Sequence, residues 1–164
     1  MNILAIESSS KQCSIAIHSN NSIHESSDII NNDSATSLPI MIEKMLSTLS
    51  LTFKDLDGIA ISMGPGSFTG LRVGLSYAKG LSLTLDIPII PICTFDLLLL
   101  PNVKDIQDKL ITVLIHSHGT TLYQSRYFLK NNSYVLEEDP ISIILNNISN
   151  ENHGTIMYCG PEHL

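Results

Sequence analysis

The sequence predicts an α/β chain of two lobes, each led by an antiparallel strand meander, and three observations carry that reading. The hydrophobic period changes from two to 3.6 after the first three apolar segments and alternates between strand and helix from there on. A second run of strand-like segments begins at Leu110. The two runs share a local pattern: Ile3–Ala16 (ILAIESSSKQCSIA) and Thr112–Ser125 (TVLIHSHGTTLYQS) are both strand, small polar turn, strand, 109 positions apart. Glu7-Ser8 then corresponds to His116-Ser117, and two such halves imply a cleft between them. The boundary is placed at Pro101–Asp105, giving lobes of residues 1–102 and 103–164.

Each element follows from its own pattern. Asn2 to Ser8 is a short apolar run suited to a central strand, and Gln12 to Ser19 alternates Cys13, Ile15 and Ile17 on one side. Asn20-Asn21 separates a third strand, Ser22 to Asp28. After the polar Asn31–Ser37 segment, Leu38, Met41, Ile42, Met45, Leu46 and Leu49 fall on one helical stripe. Pro39 is expected in the first turn of that helix, which puts its start near Ser34–Ser37. Thr52-Phe53-Lys54-Asp55 resembles a capping box opening one short turn. Ile59 to Ser62 reads as a buried strand ending at Gly64-Pro65-Gly66, where Pro65-Gly66 suits a type II turn. A helix follows from Phe68 to Leu85, then a strand from Ile87 to Ile92 and a short helix capped by Thr94. In the second lobe, Leu110–Ser117, Thr121–Leu129, Ser133–Glu138 and Thr155–Cys159 are strands, while Pro140–Ile148 fits either a helix or an edge strand.

Composition narrows the function classes. Ile and Leu occupy 45 of 164 positions, which excludes a disordered chain. Mean hydropathy is +0.20, yet no apolar stretch approaches the ~20 residues of a spanning helix. The greasiest segment, Ile87–Leu100, is interrupted by Pro88, Pro91 and Asp96. With no basic leader at the N-terminus, a soluble cytoplasmic protein is expected. Net charge is −7 with the Lys and Arg scattered singly, which argues against direct gripping of a nucleic-acid backbone. Cys13, Cys93 and Cys159 form no CxxC pair and read as reduced thiols.

Candidate chemistry is sparse. In Gly64-Pro65-Gly66-Ser67-Phe68-Thr69-Gly70, a helix N-terminus with free N–H groups can take an anion, so Glu7, Ser8, Gly64, Gly66 and Ser67 are the candidate cofactor-binding residues. The alternative is a sharp turn that only aims the helix. No Walker A ending, dinucleotide fingerprint or nucleophile elbow is present. His116-x-His118 has spacing compatible with a metal but lacks a third ligand in register; His18, His24, His153 and His163 are isolated. No catalytic residue, metal site or cofactor is assigned.

The two helices are apolar over much of their circumference. In the second, only Arg72, Ser76 and Lys79 leave a polar strip, while Gly70, Gly74 and Gly80 allow another backbone to approach closely. One reading is an internal core helix; the other is a partner-binding face. The partner face would comprise Leu38, Met41, Ile42 and Met45 of the first helix. From the second it would take Gly70, Leu71, Gly74, Leu75, Ala78 and Leu81.

At Ile3–Ile17, at Met63–Gly80 (MGPGSFTGLRVGLSYAKG) and at Pro88–Thr94 the sequence resembles the TsaB (YeaZ) family, well over residues 1–100 and loosely beyond. That resemblance implies an actin/sugar-kinase-like, ribonuclease H-like fold, here with a truncated second lobe. It also implies a non-catalytic subunit of the machinery that makes N6-threonylcarbamoyladenosine at position 37 of tRNA. Such a subunit pairs with its catalytic paralogue TsaD, is joined by the ATPase TsaE, forms a homodimer when alone, and meets tRNA only indirectly. The paralogue itself is the competing reading, together with an actin-like ATP-binding enzyme. In the paralogue, the strand after the Gly-rich helix leads into two metal-binding histidines; here it leads into Ile92-Cys93-Thr94-Phe95-Asp96 with no imidazole. A metallopeptidase, the family's former description, would need an HExxH motif that is lacking. The chain departs from the family it resembles at His116–Thr121, where an Asp-Ala-Arg segment is usual, and at Asp33, where many members carry histidine.

Overall fold

The fold is taken from a computed structural model, which describes residues 1–29, 34–100, 110–130, 133–145 and 154–160. Asp33, His153, His163 and the Pro101–Asp105 boundary lie outside the described residues. The chain divides into two compact units, Met1–Cys93 and Thr94–Leu164.

In the first unit, β1 (Ile3–Glu7), β2 (Gln12–Ser19), β3 (Ser22–Ile29), β4 (Gly58–Ser62) and β5 (Ile89–Ile92) form one sheet in the order β3-β2-β1-β4-β5. β1 to β3 form the expected antiparallel meander, whereas β4 joins β1 in parallel. Asn20 and Asn21 take positive φ (51° and 60°), as a two-residue hairpin turn requires. The register sets Leu4 beside both Ile17 and Ile59, and Ile6 beside both Ile15 and Ile61. These side chains line one face and are almost wholly buried.

Two helices cover that face: α1 (Ser34–Thr48) and α2 (Phe68–Leu85). α1 contributes Leu38, Ile42, Met45 and Leu46 to the core. Pro39 lies in its second turn rather than its first, because the helix begins at Ser34. Beyond α1, a single 3-10 turn spans Phe53–Asp55, and the Asp55 carboxylate accepts both the Thr52 N–H and its hydroxyl at 2.7 Å. Those bonds hold the Asp55 carboxyl below its ordinary value.

In the second unit, α3 (Thr94–Leu99) buries Phe95 and Leu99 and receives a hydrogen bond on Asp96 Oδ1 from the Tyr127 hydroxyl at 3.0 Å. Its sheet contains β6 (Leu110–His118), β7 (Thr121–Lys130), β8 (Ser133–Ile144) and β9 (Thr155–Cys159) in the order β8-β7-β6-β9. That order repeats β3-β2-β1-β4, including the parallel pairing of β6 with β9. Of the undecided Pro140–Ile148 segment, Pro140 to Ile144 continue β8 as one long edge strand, and residues 146–148 lie outside the described residues. Pro140 falls at a register irregularity, between Glu138 opposite Arg126 and Ile141 opposite Gln124, where a missing N–H is tolerated. Among the described residues, no helix is long and apolar enough to cross a membrane.

Cys13 is buried, and its thiol is pushed up to about 11 by desolvation first and by the nearby charges of Glu7 and Asp28 second. Cys93 and Cys159 are half-buried. In the native protein near pH 8, Cys13 is therefore expected to react with a thiol reagent much more slowly than the other two, and all three at comparable rates in denaturant. Equal native rates, read by mass spectrometry of the labelled peptides, would contradict this burial.

Candidate functional site

Two regions carry the candidate residues: the β1–β2 turn where it meets the start of α2, and the outer surface of α1 and α2. At the turn, the Glu7 carboxylate accepts the Ser9 N–H at 2.5 Å, and the Ser9 carbonyl accepts the Ser67 N–H at 2.6 Å. Ser67 is the N-cap of α2, its Oγ accepting the Gly70 N–H at 3.3 Å. Gly66 has φ 159°, extended rather than near the roughly +80° a type II turn needs at that position, so the expected type II turn is not formed.

The sequence-predicted residues at this turn are thus brought together, but against one another. A Cβ at Gly66 would run into the Ser9 carbonyl and lie 2.7 Å from the Ser9 Cβ. One at Gly70 would run into the Ser8 carbonyl, and one at Gly74 into the Ser8 hydroxyl. Ser8 and Ser9 are only 3% and 6% exposed, and Ser8 Oγ has no hydrogen-bond partner among the described residues. The close backbone approach expected at Gly70 is made by the chain's own β1–β2 turn, and at Gly74 the Ser8 side chain takes the space. At Gly80 a Cβ would meet nothing within 4 Å.

The anion considered from sequence therefore finds no room where Ser8 and Ser9 pack against α2. The space beside α2 that a phosphate would need is filled by Ser8 and Ser9. The donor at Ser67 is spent on the Ser9 carbonyl, and the one at Gly70 on the cap.

The corresponding turn of the second unit is exposed, and its histidines make local hydrogen bonds. His116 Nε2 lies 3.1 Å from the Gly119 carbonyl and His118 Nδ1 3.0 Å from the Ser117 hydroxyl. A register irregularity between His116 and His118 breaks the simple alternation that would aim both imidazoles alike. Among the described residues, no group of three metal-capable side chains converges.

The helical surface needs a correction. Of the ten residues assigned to a partner face, Leu38, Ile42, Met45, Gly70, Gly74 and Ala78 are buried within the chain itself. They lie on the side of each helix that packs on the sheet or on the neighbouring helix, so they are not available as exposed surface; Leu38 reaches only the floor of the groove between the helices. Met41, Leu71, Leu75 and Leu81 are half-buried.

What remains open is a groove of about 460 Å3 lined by Leu38, Arg72, Val73, Ser76 and Tyr77. The Arg72 guanidinium lies 3.8 Å from the centroid of the Phe68 ring, and Phe68 is itself 68% exposed. Burial, and next the charge of Glu43, raise the Tyr77 phenol above its ordinary value. Leu83, further along α2, is 85% exposed. The reading from sequence missed Phe68, Val73 and Tyr77 as surface. The signal was the polar strip at Arg72, Ser76 and Lys79, because residues bordering such a strip lie nearest solvent.

With this geometry in place, the chain can be set beside known proteins. The family model described as "TsaD: tRNA N6-adenosine threonylcarbamoyltransferase" matches residues 18–140. The chain is 34% identical over 149 residues to the tRNA threonylcarbamoyladenosine biosynthesis protein TsaB of Buchnera aphidicola subsp. Acyrthosiphon pisum (strain APS), covering 91% of this chain and 67% of that protein. To the protein of the same name from subsp. Schizaphis graminum (strain Sg) it is 35% identical over 131 residues, 80% of this chain and 62% of that one. The chain thus spans about two thirds of the length of these relatives. In three dimensions it is similar to YeaZ from Pseudomonas aeruginosa, with a TM-score of 0.76 at 22% identity, covering 87% of this chain and 67% of that one. That likeness establishes the fold.

Proposed function

Because this chain belongs to the TsaB (YeaZ) family, whose curated members are named for tRNA threonylcarbamoyladenosine biosynthesis, we propose that it serves in that synthesis as a non-catalytic scaffold subunit. Its partner is a TsaD-type catalytic paralogue, docked on the outer surface of α1 and α2. The observation that carries this reading is the groove between those helices. Its apolar walls are half open to solvent, and Phe68 and Leu83 stand out on the same helix. A half-open groove with exposed apolar side chains on the same helix supports an interaction site, and packing helix on helix is the economical way to cover it. A TsaE-type ATPase joins through the complex, the same surface self-associates in the absence of the paralogue, and tRNA is met through the paralogue, in the cytoplasm. The net charge of −7 favours that indirect route.

An ATP-binding or threonylcarbamoyl-transferring role for this chain alone lacks comparable support. The β1–β2 turn is packed with the chain's own atoms, and the segment from Ile92 to Leu98 has no imidazole.

Mixing the chain with the catalytic paralogue and separating by size tests the proposal, with co-elution at micromolar concentration expected. Val73→Glu places an unpaired carboxylate in the covered groove and is expected to weaken binding about 100-fold. Ser76→Trp, at an exposed position that leaves the core untouched, fills the groove and should weaken it about ten-fold or more. Separate elution of the wild-type proteins, or full binding by both variants, would refute the scaffold reading at this surface.

A further inference from the structure

We propose that Arg72 is the specificity-determining cation of this surface, taking a carboxylate from the paralogue helix that covers the groove; the inference rests on the scaffold reading above. Arg72 lines the groove, so a helix that fills the groove must meet it. Its guanidinium is stacked on Phe68 at 3.8 Å, and no carboxylate among the described residues pairs with it. Stacking fixes the plane of the guanidinium while leaving its N–H edge open, the arrangement that accepts a carboxylate through two parallel hydrogen bonds. A purely apolar partner would strip water from this charge and return nothing, a net loss of affinity. Charge complementarity therefore favours an amphipathic helix with an acid set toward Arg72. Glu43, whose charge reaches Tyr77 at the same groove, adds the opposite sign and favours a basic residue on that side of the partner. Such a sign pattern distinguishes the two directions in which a helix can lie in the groove.

The test is calorimetric titration of the intact chain with the intact paralogue at low and high salt. Wild-type affinity is expected to fall as salt rises. Arg72→Gln should weaken binding about ten-fold at low salt and flatten the salt dependence. Arg72→Lys should recover only part of the loss, since an ammonium neither stacks nor forks in the same way. Arg72 is exposed, so these variants keep the fold, which circular dichroism verifies. If Arg72→Gln binds within two-fold of wild type while Val73→Glu does not bind, the charge assignment is wrong and the scaffold reading stands. If Arg72→Gln impairs only self-association, the carboxylate belongs to a second copy and the assignment to the paralogue is overturned. Absence of wild-type binding removes both.

Discussion

Gly70→Ala is expected to destabilise the first unit by about 2–3 kcal/mol, although alanine is the better helix former by ~1 kcal/mol. The added methyl would run into the backbone carbonyl of Ser8. A carbonyl in a tight turn cannot swing aside as a flexible side chain does, so either the turn or α2 must shift. Gly80→Ala is the internal control. It sits in the same helix with nothing within 4 Å of its would-be Cβ, and should gain about 0.5–1 kcal/mol from propensity alone. Urea unfolding of the two variants would therefore move the midpoint in opposite directions. A Gly70→Ala midpoint equal to or above wild type would show that the β1–β2 turn is not held against α2. The self-filled turn, and the argument against a phosphate there, would go with it.

Ile42→Ala is expected to cost about 2–5 kcal/mol of stability while leaving the partner affinity of the folded protein unchanged. The residue is 0% exposed and belongs to the core beneath α1. Truncation leaves a cavity among Leu38, Met45 and the sheet side chains, and alters nothing that a partner touches. Val73→Glu is the mirror case, with a large loss of affinity and a smaller loss of stability. Measuring unfolding and binding on both variants separates core from interface on helices that supply both. Equal affinity losses in the two would mean that α1 is remodelled on binding and that the buried face is part of the contact.

The contrast between those variants marks where reading from sequence stops. The helices themselves were legible, since Leu38 through Leu49 and Phe68 through Leu85 repeat at 3.6 residues. Their apolar arc is wide, and width alone suggested surface left over for a partner. Whether such an arc is surplus depends on how many neighbours it meets. Here the sheet and the neighbouring helix absorb Ile42, Met45 and Ala78, leaving the border residues Val73 and Tyr77 at the groove. The glycines were read as an approach site for another backbone, and one does approach. It comes from Ser8 and Ser9, more than fifty positions earlier in the chain, and no local pattern reports so distant a meeting. Periodicity left Pro140–Ile148 undecided between helix and edge strand; the pairing of β8 at a sheet edge, with an irregular register, resolves it as far as Ile144.

By itself the sequence determined the alternation of strands and helices, the repeated meander and the family signature at Met63–Gly80. All of these are carried by residues close together in the chain, where hydrophobic period and turn chemistry act directly. Tertiary structure alone decided which face of each helix is buried, that the β1–β2 turn is filled rather than open, and that Arg72 stands stacked on Phe68 beside the groove with no carboxylate partner among the described residues. Those properties depend on which distant segments meet. Burial and steric exclusion are properties of the assembled volume, and no stretch of sequence contains them alone.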